Sequence, residues 1–175
     1  PFNKDKPVVV VGGGNSGVEA AIDLAGICSQ VTLLEFADQL KADGVLIEKL
    51  QSLENATIKL SIAATKVLDN GSKVIGIEAK DRIDDVEETI PADGIFVQIG
   101  LVPNSAPFAG LVDLNTMGEI MVDGHCRTGK DGIYAAGDLT TVPYKQIIIA
   151  MGEGAKAGLS VFEDFARGNI VPLTK

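Results

Sequence analysis

The sequence has 175 residues, 46% of them hydrophobic, with 15 basic and 24 acidic residues and a formal net charge of −9. This composition supports one large core or more than one small core and excludes a disordered chain. The negative charge, without a clustered basic face, argues against nucleic acid and anionic lipid as partners. Apolar runs such as residues 8–11 and 147–151 are far shorter than the ~18 residues a membrane span needs, so no membrane segment is expected.

The first predicted elements lie in residues 6–35, which have the pattern of a strand, a glycine-rich turn, a helix and a second strand. Four consecutive valines at 8–11 predict a parallel strand that is buried on both faces. A helix over about 16–26 and a strand over 31–34 follow. The turn between the first strand and the helix reads Gly12-Gly13-Gly14-Asn15-Ser16-Gly17.

The turn has the spacing of a dinucleotide-binding motif. Gly12 permits a tight turn, Gly14 lets a pyrophosphate approach the backbone, and Gly17 lets the helix pack closely on the strand. The free N–H groups of the first helical turn favour an anion. Glu35 follows the second strand, where this motif places the acid that binds an adenosine ribose. A plain structural connection between strand and helix is the alternative.

Further along the chain the pattern predicts shorter elements. A second helix is expected over about 38–53, a third parallel strand over 57–60, a hairpin of 65–68 with 73–79 turning at Asn70-Gly71, and a buried strand over 95–100. A short strand at about 119–122 and a final helix over about 145–167 complete the prediction. Gly152, Gly154 and Gly158 in that helix predict the close approach of a flat ring or a neighbouring strand.

Other polar and sulfur-containing residues receive no catalytic role. The acids at 84, 85, 87 and 88 are expected in a solvated hairpin tip, and no metal is assigned. Cys28 and Cys126 form no C-x-x-C pair and are expected as small apolar residues, while His125 lies in a loop without a catalytic pattern. The chain has a cytoplasmic character, and its start at Pro1 predicts a piece of a longer protein.

Three motifs occur in a fixed order. They are the glycine turn with the helix start at 12–21, the segment Gly94-Ile95-Phe96-Val97-Gln98-Ile99-Gly100-Leu101-Val102-Pro103-Asn104, and Ala135-Ala136-Gly137-Asp138. In this order they resemble the low-molecular-weight thioredoxin reductase family over essentially the whole chain. Within that family the likeness is closest to the flavoprotein subunit of alkyl hydroperoxide reductase, through residues 33–37 and 142–150.

The resemblance implies an α/β fold with two parts. Residues 1–102 would form a Rossmann-like NAD(H)-binding domain with a parallel sheet and a β-meander. Residues 103–175 would form the C-terminal portion of a second, FAD-binding Rossmann-like domain, whose N-terminal half is absent from this sequence. The redox C-x-x-C of the family is absent as well, so the chain by itself is expected to be inactive and no catalytic residue is assigned.

The resemblance also implies roles for individual residues. Gly12, Gly14, Asn15, Ser16 and Gly17 would hold the pyrophosphate, Glu19 would lie near the nicotinamide carboxamide, and Gly100 would let the dinucleotide cross the strand end. The ribose would meet Glu35, Phe36 and Lys41 in place of the basic cluster of NADP-dependent members, which predicts NADH. On the flavin side the implied residues are Gly137, Asp138, Lys145, Gln146 and Ile147. For Glu19 an ordinary exposed helix acid is an equal alternative, and for Asp138 a turn-forming acid.

The implied function is part of an NADH-dependent flavoprotein that passes electrons through FAD to a redox disulfide. Its partner would be a peroxiredoxin or a thioredoxin-like protein, and a homodimer is expected. One alternative is a nucleotide-binding fragment or module without turnover. Another is a two-dinucleotide oxidoreductase of the ferredoxin or NADH oxidase type.

Overall fold

A computed structural model describes residues 2–170 and divides the chain into two compact units, Pro1–Gly100 and Leu101–Lys175. The first unit holds a four-stranded sheet, a three-stranded sheet and two helices; the second is built of loops and one long helix. The division falls two residues before the domain boundary expected at 102/103.

The four-stranded sheet of the first unit is parallel throughout. Its strands are β1 (Pro7–Val11), β2 (Gln30–Leu34), β3 (Ala56–Lys59) and β7 (Gly94–Val97), in the order β3-β2-β1-β7. Successive valines of β1 point to opposite faces, and both faces are covered. Val8 and Val10 pack with α1 (Asn15–Ala25) and α2 (Gly44–Gln51), whereas Val9 packs with residues of the second sheet. The prediction of a strand buried on both faces is therefore confirmed.

The second sheet is an antiparallel meander of β4 (Ile62–Asp69), β5 (Val74–Asp81) and β6 (Glu87–Pro91). The hairpin predicted at Asn70-Gly71 is present, and Gly71 has the positive φ of +83° that such a turn requires. The expected charged tip is shorter than predicted. Glu87 and Glu88 belong to β6, where Glu88 is bound by Lys59 at 2.6 Å, because the pairing of β5 with β6 extends to Glu87.

Helix α1 agrees with its prediction, but α2 is shorter than the predicted 38–53. The chain before it follows the glycine turn instead of coiling, because the backbone N–H of Lys41 donates to the carbonyl of Gly13 at 2.8 Å. The helix then begins after Asp43, whose extended backbone forms the N-cap. A tertiary hydrogen bond has therefore overridden the helical periodicity of residues 38–42.

The second unit contains a 3₁₀ turn (Ala106–Phe108) and α3 (Ile147–Ala166). The strand predicted at 119–122 is reduced to isolated bridges of Ile120 with Leu114 and Thr140. Within residues 101–170 no strand or side chain approaches the helix glycines, since a Cβ built on Gly152, Gly154 or Gly158 meets nothing within 4 Å. Of the two predicted alternatives, a neighbouring strand is therefore absent at these glycines within the described residues, and the approach of a flat ring stays a prediction. Among residues 2–170 no helix combines the length and apolar character needed to cross a bilayer.

Candidate functional site

The turn between β1 and α1 depends on two of its glycines. Gly12 has a φ of +114°, and a Cβ there would lie 2.2 Å from the carbonyl oxygen of Gln98. At Gly17 a Cβ would lie 1.8 Å from the carbonyl oxygen of Gly12. Both obstructions are backbone atoms, which cannot rotate away as a side chain can. The first helical turn is thus held against the end of β1 by direct backbone contact.

Gly14 has the opposite environment. A Cβ there would meet nothing within 4 Å, and the residue is the N-cap of α1 without a side-chain hydrogen bond to the first helical turn. The N–H groups of that turn therefore face open space at the positive end of the helix dipole. This arrangement fits a pyrophosphate, which needs close access to the backbone and several hydrogen-bond donors.

Gly13, to which the sequence motif assigns no role, is closely surrounded by side chains. Its N–H donates to Oε2 of Glu35 at 2.5 Å, and a Cβ would lie 2.6 Å from Cδ2 of Leu40. In the sequence, Gly13 is only the middle residue of a run of three glycines, and this position alone does not indicate a contact with Glu35. The contact itself joins residues 22 positions apart, so no local pattern could have revealed it.

The carboxylate of Glu35 is held at the edge of the turn by two backbone donors. Oε2 accepts from Gly13, and Oε1 accepts from the N–H of Ala37 at 2.8 Å. A carboxylate offers about four lone-pair positions, so acceptor capacity remains after both bonds. The group is therefore oriented beside the glycine turn, at the end of β2 where a ribose hydroxyl pair would bind.

The environment after β2 contains a cation that the sequence pattern did not indicate. The guanidinium of Arg82 lies over the Phe36 ring, 3.7 Å from its centroid, and its Nη1 donates to the Phe36 carbonyl at 2.8 Å. Lys41, the predicted cation, is exposed and contributes its backbone N–H to the turn. Arg82 is a second cation in this region beside Lys41, because the β5–β6 connection brings it to Phe36 across 46 residues.

The other predicted site residues of the first unit differ in their contacts and exposure. The Asn15 side chain forms two hydrogen bonds with Asp43. Its Nδ2 donates to the Asp43 carboxylate at 3.1 Å, and its Oδ1 accepts from the Asp43 N–H at 2.8 Å, so Asn15 connects α1 to α2. Ser16 and Glu19 are exposed on the first turns of α1. Gly100 has a φ of +103° with open space where a Cβ would lie. The structure thus brings Gly12, Gly14, Gly17 and Glu35 together, and gives the Asn15 side chain a structural partner.

In the second unit the predicted flavin-side residues surround the start of α3. Gly137 is buried with a φ of +84°, and its carbonyl accepts from the N–H and the hydroxyl of Thr140 at 3.0 and 2.8 Å. Asp138 is exposed at this turn. Asp138 therefore occupies a fixed turn with its carboxylate in solvent. This arrangement fits both the turn-forming role and a hydrogen bond to the ribityl and phosphate region of a flavin.

Lys145 is not a free cation. Its Nζ forms an ion pair with Oε1 of Glu119 at 2.8 Å and donates to the carbonyl of Thr140. The Lys145 hydrogen bond is the main cause that holds the pKa of the Glu119 carboxyl below its usual range. Gln146 caps α3 with extended backbone, and Ile147 is 84% exposed. Of the three residues predicted to border a flavin ring, Lys145 is thus already paired and the other two face outwards.

Both cysteines are free thiols and buried, as the sequence predicted. Cys126 is fully buried and its Sγ donates to Oε2 of Glu153 at 3.0 Å. Burial raises the pKa of the Cys126 thiol to about 11, and the hydrogen bond to Glu153 acts in the same direction. A thiol with this environment is a poor nucleophile at neutral pH.

We expect Cys126 to resist alkylation in the folded chain. With a pKa of about 11, roughly one thiol in a thousand is ionised at pH 8, where the thiolate is the reactive form. Iodoacetamide treatment followed by peptide mass mapping should leave Cys126 unlabelled in the native protein and labelled after denaturation. Glu153→Gln serves as the control, because burial remains and labelling should stay slow. Native labelling at the rate of an exposed cysteine would contradict the buried assignment.

A comparison with protein-family models identifies the family of this chain. The model described as pyridine nucleotide-disulphide oxidoreductase matches residues 2–154. The chain belongs to this family. The family's cofactors, a nicotinamide dinucleotide and FAD, are the pair that the sequence predicted, and the α/β fold with a parallel sheet and a meander is confirmed.

Individual relatives support the same placement. The chain is 58% identical to an alkyl hydroperoxide reductase subunit of Escherichia coli, over 95% of this chain and 32% of that protein. A protein named NADH dehydrogenase from Ferdinandcohnia aciditolerans is 52% identical over the same shares. Thioredoxin reductase of T. acidophilum has a similar structure, with a TM-score of 0.73 and 35% identity over 93% of this chain and 54% of that one. The chain therefore spans about a third of the length of the curated relatives it matches, and the predicted resemblance is confirmed.

Proposed function

We propose that this chain is the nicotinamide-binding portion of an NADH-dependent flavoprotein disulfide reductase. The observation that carries the proposal is the opening at Gly14 beside the oriented carboxylate of Glu35. The opening and the first turn of α1 would hold the pyrophosphate, while Glu35 would accept hydrogen bonds from a ribose. The protein supplies binding and orientation, and the nicotinamide and flavin supply the hydride chemistry.

The proposed electron acceptor is a disulfide outside this chain. The sequence contains no C-x-x-C, and both of its cysteines are buried, so the chain offers no exposed dithiol of its own. The names of the relatives, alkyl hydroperoxide reductase and thioredoxin reductase, favour a peroxiredoxin or thioredoxin-like protein as the final target. Asp138 would contact the flavin side, with Gln146 and Ile147 near the ring. The homodimer and the cytoplasmic location stay predictions.

A nucleotide-binding module without turnover is the second candidate. The burial of both cysteines favours it for these 175 residues, because neither thiol is accessible to a partner disulfide. The two candidates differ in a simple assay. If the 175 residues bind NADH but reduce no disulfide, the result supports a binding module without turnover. A role of these residues within a longer reductase is tested by measuring disulfide reduction in a protein that also carries the flanking sequence.

The proposal predicts a preference for NADH over NADPH. Glu35 faces the ribose position, where a carboxylate accepts hydrogen bonds from hydroxyls and repels a 2′-phosphate. We expect NADH to bind at least ~10-fold more tightly, since about 1.4 kcal/mol gives that factor. Calorimetric titration with both nucleotides measures it, and Glu35→Arg should narrow or invert the gap. Equal dissociation constants for the wild-type chain would contradict the assigned role of Glu35.

A further inference from the structure

The pair formed by Phe36 and Arg82 is not explained by the fold. Phe36 is 59% exposed, although a buried position would remove its ring from water at a gain in stability. Arg82 is exposed as well, and its guanidinium lies over the ring with Cζ 3.7 Å from the centroid. The two side chains therefore present a layered planar surface to solvent, next to Glu35.

A chain of backbone hydrogen bonds fixes the position of this surface. The N–H of Ser61 donates to the carbonyl of Ala37 at 2.8 Å, and the N–H of Arg82 donates to the carbonyl of Ser61 at 2.9 Å. The Arg82 side chain then returns to the Phe36 carbonyl at 2.8 Å. Three separate segments are thus joined at the residue that follows the ribose acid, so the guanidinium has a defined place and orientation.

We propose that Arg82, supported by Phe36, stacks on the adenine ring of the bound dinucleotide. This inference rests on the proposed function, because it takes Glu35 as the ribose ligand. The adenine is attached directly to that ribose and must lie beside the residues that follow Glu35. A planar guanidinium stacks well on an aromatic ring, and one of its faces is already covered by Phe36. Arg82 is thereby a binding residue that determines affinity for the adenosine half of the ligand.

The test compares variants of the complete chain by calorimetric titration with NADH, NADPH and ADP-ribose. For Arg82→Ala we expect about 5- to 20-fold weaker binding of NADH, the range of a lost stacking contact on one base. ADP-ribose should lose affinity by the same factor, because it carries the same adenosine. Arg82→Lys, which keeps the charge without the plane, should also lose affinity. Lys66→Ala removes an exposed cation from β4 of the same sheet and should leave binding unchanged.

The outcomes distinguish adenine stacking by Arg82 from a phosphate contact, from an effect of charge alone and from no role in binding. Wild-type protein that fails to bind NADH overturns the proposed function itself. A folded Arg82→Ala protein with wild-type affinity overturns only the stack, as does a loss confined to NADPH, which would make Arg82 a phosphate ligand. Full retention of affinity in Arg82→Lys would reduce the role to charge alone and also contradict the proposal. If Arg82→Ala does not fold, Phe36→Leu takes its place, since an exposed ring is removable, and the same loss is expected.

Discussion

Gly17→Ala should destabilise the first unit by at least about 3 kcal/mol and abolish NADH binding. The added Cβ would lie 1.8 Å from the carbonyl oxygen of Gly12, and overpacking against atoms that cannot rotate lies at the upper end of the usual cost. Alanine is the better helix former by about 1 kcal/mol, which is too little to offset the clash. Urea unfolding followed by far-UV circular dichroism measures the change.

Gly14→Ala and Gly44→Ala are the matched controls. Neither Cβ would meet an atom within 4 Å, and both residues lie at helix starts, so stability should change by less than about 1 kcal/mol. Gly14→Ala should nevertheless weaken NADH binding at least ~10-fold, because the methyl group would occupy the space assigned to the pyrophosphate. Gly44→Ala should bind normally. A stable, NADH-binding Gly17→Ala protein would show that the turn is not held as described.

Asp164→Ala should give the largest loss of stability in the second unit. Asp164 is 6% exposed and binds Arg127 through Nε at 2.6 Å and Nη2 at 3.1 Å. It also accepts from the Tyr134 hydroxyl at 2.7 Å and from the Asn169 side chain at 3.1 Å. Removing the carboxylate leaves these donors without their shared acceptor, and we expect the thermal midpoint to fall by roughly 10 °C or more.

Tyrosine fluorescence can follow this transition selectively. The chain has no tryptophan, and its two tyrosines, Tyr134 and Tyr144, both lie in the second unit. The control is Glu163→Ala on the same helix. Glu163 contacts the same Arg127 at 3.4 Å but is much more exposed, so its loss should be small. Equal effects of the two substitutions would contradict the assignment of Asp164 as the central acceptor.

The same network predicts a dependence on pH. The Arg127 guanidinium, and then the Tyr134 hydroxyl, hold the pKa of the Asp164 carboxyl well below its usual range. A carboxyl whose pKa is lowered by folding contributes stability above its unfolded pKa of about 3.9, and that contribution is lost as the pH falls further. The thermal midpoint of the wild type, followed by tyrosine fluorescence, should therefore fall as the pH drops below about 4. The Asp164→Ala protein should lack this part of the acid dependence.

Much of the first unit was predictable because its decisive contacts are local or strongly patterned. The valines of β1 required two covered faces, and the spacing from Gly12 to Glu35 placed a turn, a helix and an acid in the observed order. The start of α2 was mispredicted for the opposite reason. Residues 38–42 have helical periodicity, but the hydrogen bond from Lys41 to Gly13 joins parts of the chain that periodicity does not relate.

The candidate site divides in the same way. Gly12, Gly14 and Gly17 follow from a motif in which each glycine has a separate steric reason, and the structure gives each of them the corresponding environment. The partners of Asn15 and Lys145 were not predictable. Asn15 binds Asp43, and Lys145 binds Glu119, each across more than 20 residues and through side chains whose pairing depends on the path of loops.

The sequence by itself determined the family, the strand–turn–helix–strand unit and the position of Glu35, the acid proposed to bind a ribose. The family follows from the order of three motifs, and the other two features depend on steric requirements of the backbone within about 30 residues, which a linear pattern records directly. Only the tertiary structure decided which groups surround that acid. Arg82 reaches Phe36 because the meander folds back on the parallel sheet, and the side chains of Leu40 and Glu35 meet at Gly13. Such contacts arise from strand order and loop path, which no local spacing of residues encodes.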